Sequence, residues 1–213
     1  MAGAFIVFEG IDGSGKSTAI GEICARLERQ GLTCVALREP TEKTDASREI
    51  RRILRTAKEI DAKVSKDLLD LFLIDRLWDI RHQILPALQA GKIVLLDRYF
   101  FSTAAYQSMN TAQIASILDA YLANNQVLLP DLVVFLDLPV QIALERMNTR
   151  AQLDVFETEA RLTRIAANYR EVFRKFSTTR SEPEVETRTN ELTTADFEAL
   201  SARIQQLALA DRR

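Results

Sequence analysis

Histidine is almost missing from this 213-residue chain: His82 is the only one. A Ser-His or Cys-His nucleophile pair would have to be built on that single imidazole. His82 lies between Arg81 and Gln83 in a helical pattern, which predicts a surface helix position. Cysteine is nearly as scarce. Cys24 and Cys34 have no metal-ligand partners nearby, so neither a disulfide framework nor a zinc site is expected, and a reducing cytoplasm fits. Excess charge of one sign is missing too. The chain has 28 basic and 30 acidic residues, a net charge of −2, which gives no support for nucleic-acid binding through bulk charge. No apolar run approaches the roughly 20 residues that a membrane helix needs, and no signal peptide is expected ahead of the first apolar segment. No internal repeat, low-complexity tract or linker stands out. These absences predict a soluble cytoplasmic protein of one domain (1–213), with neither a nucleic-acid nor a membrane partner.

One stretch that is present organises the rest. Residues 4–8 are apolar, β-branched and aromatic, the pattern of a strand buried on both faces. Gly10-Ile11-Asp12-Gly13-Ser14-Gly15-Lys16-Ser17, followed by Thr18, fits G-x-x-x-x-G-K-[ST]. A helical pattern follows at once, with Ile20, Ile23 and Leu27 on one face and Glu22, Arg26, Glu28 and Arg29 on the other. The chemistry needs these residue types. Glycine reaches backbone conformations that a Cβ disfavours, so loop N–H groups can converge on phosphate oxygens at a helix N-terminus. Lys16 supplies a charge for the β- and γ-phosphates, and Ser17 a hydroxyl for Mg²⁺. The competing interpretation, a glycine-rich turn that binds nothing, leaves the strand before it and the helix after it unexplained.

The remaining chain alternates. Strands are predicted at 33–37, 93–96, 132–136 and, weakly, 184–189. Helices are predicted at 47–57, 65–89 and 111–124, from Pro139 to about 150, at 156–176, and after Thr194 as N-cap. Pro86 should kink the long helix or reset its last turn, and Gly91 should cap it. Strand–helix alternation predicts an α/β protein of the P-loop NTPase fold, a five-stranded parallel sheet with helices on both faces. Ligands bind beyond the carboxyl ends of such strands. That rule singles out residues 9–17, 38–40, 97–99 and Asp137.

Asp97-Arg98-Tyr99 adds a carboxylate able to hold Mg²⁺ and an arginine fork suited to phosphate, although a strand-end salt bridge would look the same. With these residues in place, the chain resembles the thymidylate kinases, P-loop enzymes that phosphorylate dTMP with ATP. The resemblance rests on FEGIDGSGKST (8–18), REP (38–40), FLIDR (72–76), DRYFFSTAAYQ (97–107) and RMNTRAQLDVFE (146–157), and spans roughly residues 4–175.

The resemblance implies a set of roles. Asp12 orients the acceptor or its metal. Arg38 and Arg98 hold the dTMP phosphate, Phe72 stacks on thymine and Arg76 hydrogen-bonds it. Thr103, Tyr106 and Gln107 line the nucleoside pocket, with Tyr106 crowding the sugar 2′ position, and Glu157 joins the substrate set. Arg146 and Arg150 sit in a mobile lid at about 146–157. Without the resemblance, Phe72 reads as core, while a turn-forming Asp12 and a solvated charged helix at the lid stand as competing interpretations. Gly13 stands where one branch of the family has an arginine, so charge for the transition state is expected from Arg146 or Arg150.

The implied product is dTDP, on the way to dTTP. The family is usually homodimeric, and the apolar rows on 65–89 and 111–124 could serve. One departure stands out: Thr41-Glu42-Lys43-Thr44 follows REP where many members have Gly-Gly-Thr. The rival functions are a kinase for another nucleoside monophosphate or deoxynucleoside, a nucleotide switch or regulatory ATPase, and an inactive scaffold.

Overall fold

In the computed structural model, residues 3–56, 62–147, 158–179 and 183–210 are described. Five strands, β1 (Ala4–Glu9), β2 (Cys34–Arg38), β3 (Ile93–Asp97), β4 (Leu132–Leu136) and β5 (Glu184–Arg188), form one sheet in the order β2-β3-β1-β4-β5. Every pairing is parallel. The helices are α1 (Lys16–Arg29), α2 (Asp45–Thr56), α3 (Ala62–Asp79), α4 (Leu85–Gln89), α5 (Phe100–Gln107), α6 (Thr111–Ala123), α7 (Val140–Met147), α8 (Glu159–Thr179) and α9 (Thr194–Leu209).

Every residue of β1 is buried, because strands flank it and helices cover both faces. The two-residue period of a strand sorts its side chains. Phe5 and Val7 join Val94, Leu96, Val133 and Phe135 beneath α5, α6 and α8. Ala4, Ile6 and Phe8 join Ile93, Leu95, Leu132 and Val134 beneath α1 and α9. Odd-numbered Glu9 therefore points to the α5–α8 side. Since all strands run the same way, their carboxyl ends gather residues 10–17, 38–44, 97–99 and 137 along one edge of the sheet.

Several local details differ from expectation. The long helix begins at Ala62 and is not one α-helix: residues Ile80–Ile84 are π-helical, and the Leu85 N–H reaches back to the Ile80 carbonyl. Pro86 has no N–H to continue an α ladder, and the widened turn just before it absorbs the missing bond. Gly91, at φ 71°, follows the helix end as expected. His82 lies exposed in the widened turn, stacked on Trp78. The N-cap of α9 is Thr193 rather than Thr194, because Thr193 and Asp196 form a reciprocal capping box.

The larger correction concerns the cysteines. Cys24 of α1 and Cys34 of β2 are joined in a disulfide. Their sequence separation of 10 gave no sign of it. The chain turns back at Gly31, β2 runs along the helix that precedes it, and the two Cα atoms come within 5.6 Å. Thiol titration of unfolded, unreduced protein should find no reactive cysteine. Cys24→Ser should lower the unfolding free energy by about 2–3 kcal/mol, the size expected for so short a closed loop. Two reactive thiols before reduction would contradict the bond.

Candidate active site

The first cavity is built by the loop between β1 and α1. Gly13 and Gly15 have φ of 78° and 95°, a region where a Cβ is strained, and Gly15 is the N-cap of α1. The N-terminus of α1 therefore faces a cavity of about 340 Å³ lined by residues 12–19, Arg38, Asp97, Arg146 and residues 190–192. Lys16 is buried, and its Nζ donates to the Gly10 and Ile11 carbonyls at 3.1 and 3.0 Å. Burial brings its pKa down to about 8; the charge of Arg98 acts in the same direction, against Asp97, Asp12 and Glu9. Ser17 Oγ donates to Asp97 Oδ2 at 2.8 Å, and Asp97 Oδ1 is buried without a hydrogen-bond partner among the described residues. Gly10 and Ile11 do not line the cavity. Ile11 packs into the core, so its contribution to the loop is the carbonyl that holds Lys16.

A second cavity of about 510 Å³ is lined by residues 38–43, Phe72, Arg76, Arg98, Thr103, Tyr106 and Gln107. Asp12 and Arg38 line both cavities, so the two meet there. Arg98 stands at this junction with φ 73°, a left-handed conformation unusual for a side-chain-bearing residue. Its Nη2 donates to Asp12 Oδ1 at 2.8 Å and to the Tyr106 hydroxyl at 2.9 Å, and Tyr106 in turn donates to Asp12 Oδ2 at 2.9 Å. Burial would raise the Asp12 carboxyl, but Arg98, Lys16 and the Tyr106 hydroxyl outweigh it and hold the group well below the usual range. Asp12 is thus an anion facing two cations.

Arg76 is 1% exposed and lies against the rings of Tyr99 and Tyr121 at 5.0 and 4.9 Å. Two of its nitrogens, Nε and Nη2, donate to Glu39 Oε2 at 2.9 and 2.5 Å. Burial opposes its charge, but Glu39 and the two tyrosines prevail. An arginine on an apolar helix face needs a ligand or a carboxylate; here Glu39 of the REP turn supplies the carboxylate. Thr103 accepts a long bond from Arg76 Nη2, and Gln107 accepts one from Ser65. Phe72 is half-buried and lines the cavity instead of disappearing into the core.

The departure after REP also has a structural account. The Thr41 amide and the Thr41 and Thr44 hydroxyls all donate to Asp75, at 2.7, 2.6 and 2.6 Å. Thr44 Oγ1 then accepts from the Ser47 amide and caps α2. The threonines thus tie the turn to α3 beside Arg76.

Arg146, on α7, lies over the loop after β1. Its Nη1 donates to the Gly13 carbonyl at 3.2 Å, and Nη2 pairs with Glu191. Arg150 and Glu157 lie outside the described residues. Asp137, singled out by its place after β4, lines neither cavity and is paired with Arg170 of α8. Glu9 was singled out only by its place at a strand end, and Ser102, Tyr169 and Glu191 took no role of their own in the sequence argument, because each acts through a partner far away in the chain. Glu39→Ala should cost about 3–5 kcal/mol, because it strands a buried guanidinium, and adding Arg76→Met should recover much of that loss in urea unfolding. A single-variant cost below about 1 kcal/mol would contradict the buried pair.

Comparison with known proteins agrees with this geometry. The family model described as thymidylate kinase matches residues 8–192. A thymidylate kinase of Leptospira borgpetersenii is 43% identical over 172 residues, covering 80% of this chain and 82% of that protein. One of Akkermansia muciniphila is 42% identical over 161 residues, covering 75% and 74%. A probable thymidylate kinase of Pyrococcus horikoshii is 38% identical over 172 residues, covering 79% and 82%. With the phosphate loop, the Asp97–Arg98 turn and the two adjoining cavities in place, the chain belongs to the thymidylate kinase family.

Proposed function

We propose that the chain is a phosphotransferase that moves the γ-phosphoryl group of ATP in line onto the 5′-phosphate of dTMP, giving dTDP and ADP. The observation that carries this reading is the pair of cavities meeting at Asp12 and Arg38, with Arg98 at the junction. An oxygen of the dTMP phosphate forms the new bond to the γ-phosphorus as the β–γ bridging bond breaks and ADP leaves. That oxygen is already ionised near neutral pH, so positioning and charge stabilisation suffice without a strong base.

The donor triphosphate belongs on the loop amides of residues 13–18 and on Lys16. Its base belongs toward Asn190, Leu192 and Phe197, which also line that cavity. Arg38 and Arg98 hold the acceptor phosphate, and Asp12 orients it. Phe72 stacks on thymine, Arg76 hydrogen-bonds it, and Thr103 and Gln107 close the pocket. Tyr106, locked between Asp12 and Arg98, crowds the sugar 2′ position.

Ser17 and Asp97 would hold Mg²⁺. They offer only oxygen, and the buried Asp97 Oδ1, which takes no hydrogen bond among the described residues and has Lys16 Nζ at 4.0 Å, suits a hard cation that keeps most of its waters. Bound there with ATP, Mg²⁺ would neutralise charge on the phosphates.

Arg146 supplies charge to the transferring group. A Cβ on Gly13 would lie 2.4 Å from the Ala143 carbonyl, so a glycine there lets α7 approach and brings its arginine over the loop. Arg150 and Glu157 join this proposal from the lid segment. A homodimer is part of the same proposal, through the outward face of α3, where Ile74 is 57% exposed. So is a cytoplasmic location, on the family alone, since the Cys24–Cys34 bond removes the redox argument for it. No helix among the described residues is long and apolar enough to cross a membrane.

ADP release with Mg·ATP tests the reading against dTMP, dUMP, dCMP, dGMP, UMP, thymidine and no acceptor. Release should depend on dTMP, and changing both Arg146 and Arg150 to Ala should lower kcat by about a hundredfold or more, as loss of a transition-state arginine does. Equal release without acceptor would make the chain an NTPase. Unchanged turnover in the double variant would remove the lid arginines from the mechanism.

A further inference from the structure

Glu9 ends β1, is completely buried and lines neither cavity. It sits on the face of the sheet covered by α5 and α8, and donors from both helices or their leading turns converge on it. Oε1 accepts from the Tyr99 and Ser102 amides at 2.8 and 3.2 Å. Oε2 accepts from Ser102 Oγ at 2.6 Å and from the Tyr169 hydroxyl at 2.9 Å. A buried carboxylate is costly, and an apolar residue would serve simple packing better.

Three of the four donors adjoin Arg98 along the chain or touch it, and the fourth, the Ser102 amide, belongs to a residue whose hydroxyl does. The Tyr99 amide follows Arg98 directly and fixes the turn in which Arg98 takes its left-handed conformation; the Arg98 amide is fixed on its other side by the Phe8 carbonyl at 2.9 Å. Arg98 Nη1 donates to Ser102 Oγ at 3.2 Å and to the Tyr169 hydroxyl at 3.1 Å. A hydroxyl that gives its proton to a carboxylate turns its lone pairs elsewhere. Here they face the guanidinium and each other, with Ser102 Oγ and the Tyr169 hydroxyl 2.7 Å apart.

We infer that Glu9 positions Arg98 for the acceptor phosphate, holding its backbone through Tyr99 and its guanidinium through Ser102 and Tyr169. Tyr169, on α8, is then a positioning residue for the acceptor site although it follows Arg98 by 71 residues. The inference rests on the role proposed above for Arg98.

Tyr169→Phe removes only the hydroxyl. It should raise KM for dTMP about tenfold, the factor of one lost hydrogen bond to a charged group, and leave KM for ATP within about twofold. A purely structural role would lower thermal stability without this split. Arg98→Lys should raise KM for dTMP, and adding Tyr169→Phe to it should raise KM by no more than about a further twofold, since the fork that the hydroxyl orients is gone. Ser102→Ala should repeat the split and carries the test if Tyr169→Phe does not fold. If Arg98→Lys raises KM for dTMP and neither Tyr169→Phe nor Ser102→Ala does, the positioning role is overturned and that of Arg98 stands. Full additivity in the double variant also overturns it. An unchanged KM in Arg98→Lys overturns the role of Arg98 and this inference with it.

Discussion

Two charged side chains 86 residues apart in the sequence meet at the carboxyl edge of the sheet, and both cavities are arranged around them. Asp12 comes from the loop after β1 and Arg98 from the turn after β3; they touch at 2.8 Å with little solvent access. Their gross attraction, about 4 kcal/mol at an effective dielectric near 20, is largely offset by what burial takes from each ion. Orientation is the larger gain. With Tyr106 bonded to both, neither ion can turn away, and the loop after β1 and the turn after β3 keep a fixed relation.

A second buried pair serves the acceptor pocket in the same way. Glu39 and Arg76 are both nearly inaccessible, and Tyr99 lies between the two charged centres, its ring against Arg76 and its amide on Glu9. Asp75 gathers Thr41 and Thr44 just beside them. This wall is therefore a run of buried polar contacts set in an apolar layer, in which Glu39 Oε1 and Arg76 Nη1 take no hydrogen bond among the described residues, a costly arrangement to build.

Much of this was legible in the residues. The buried strand before Gly10 and the helix after Ser17 fixed the loop, and strand–helix alternation fixed the parallel sheet. Asp97 and Arg98 were found because they follow a buried strand. What stayed hidden depends on side chains meeting across long separations. Glu9 fell among the strand-end candidates, yet its partners Ser102 and Tyr169 lie 93 and 160 residues away, and Tyr169 reads as one more apolar position on an amphipathic helix. The Cys24–Cys34 bond was missed because spacing does not say that a strand returns along its own helix. Asp137 was overvalued because a place after a strand does not reveal that Arg170 will claim the side chain.

The claim on which the account rests is that phosphates enter from the two cavities and face each other at Asp12, Arg38 and Arg98. The most direct test is binding of one molecule that bridges both cavities, adenosine and thymidine joined 5′ to 5′ by a chain of phosphates. The account predicts competition with both ATP and dTMP, and a binding constant tighter than that of either alone. Competition with ATP only, with dTMP still binding beside the bridging molecule, would contradict it.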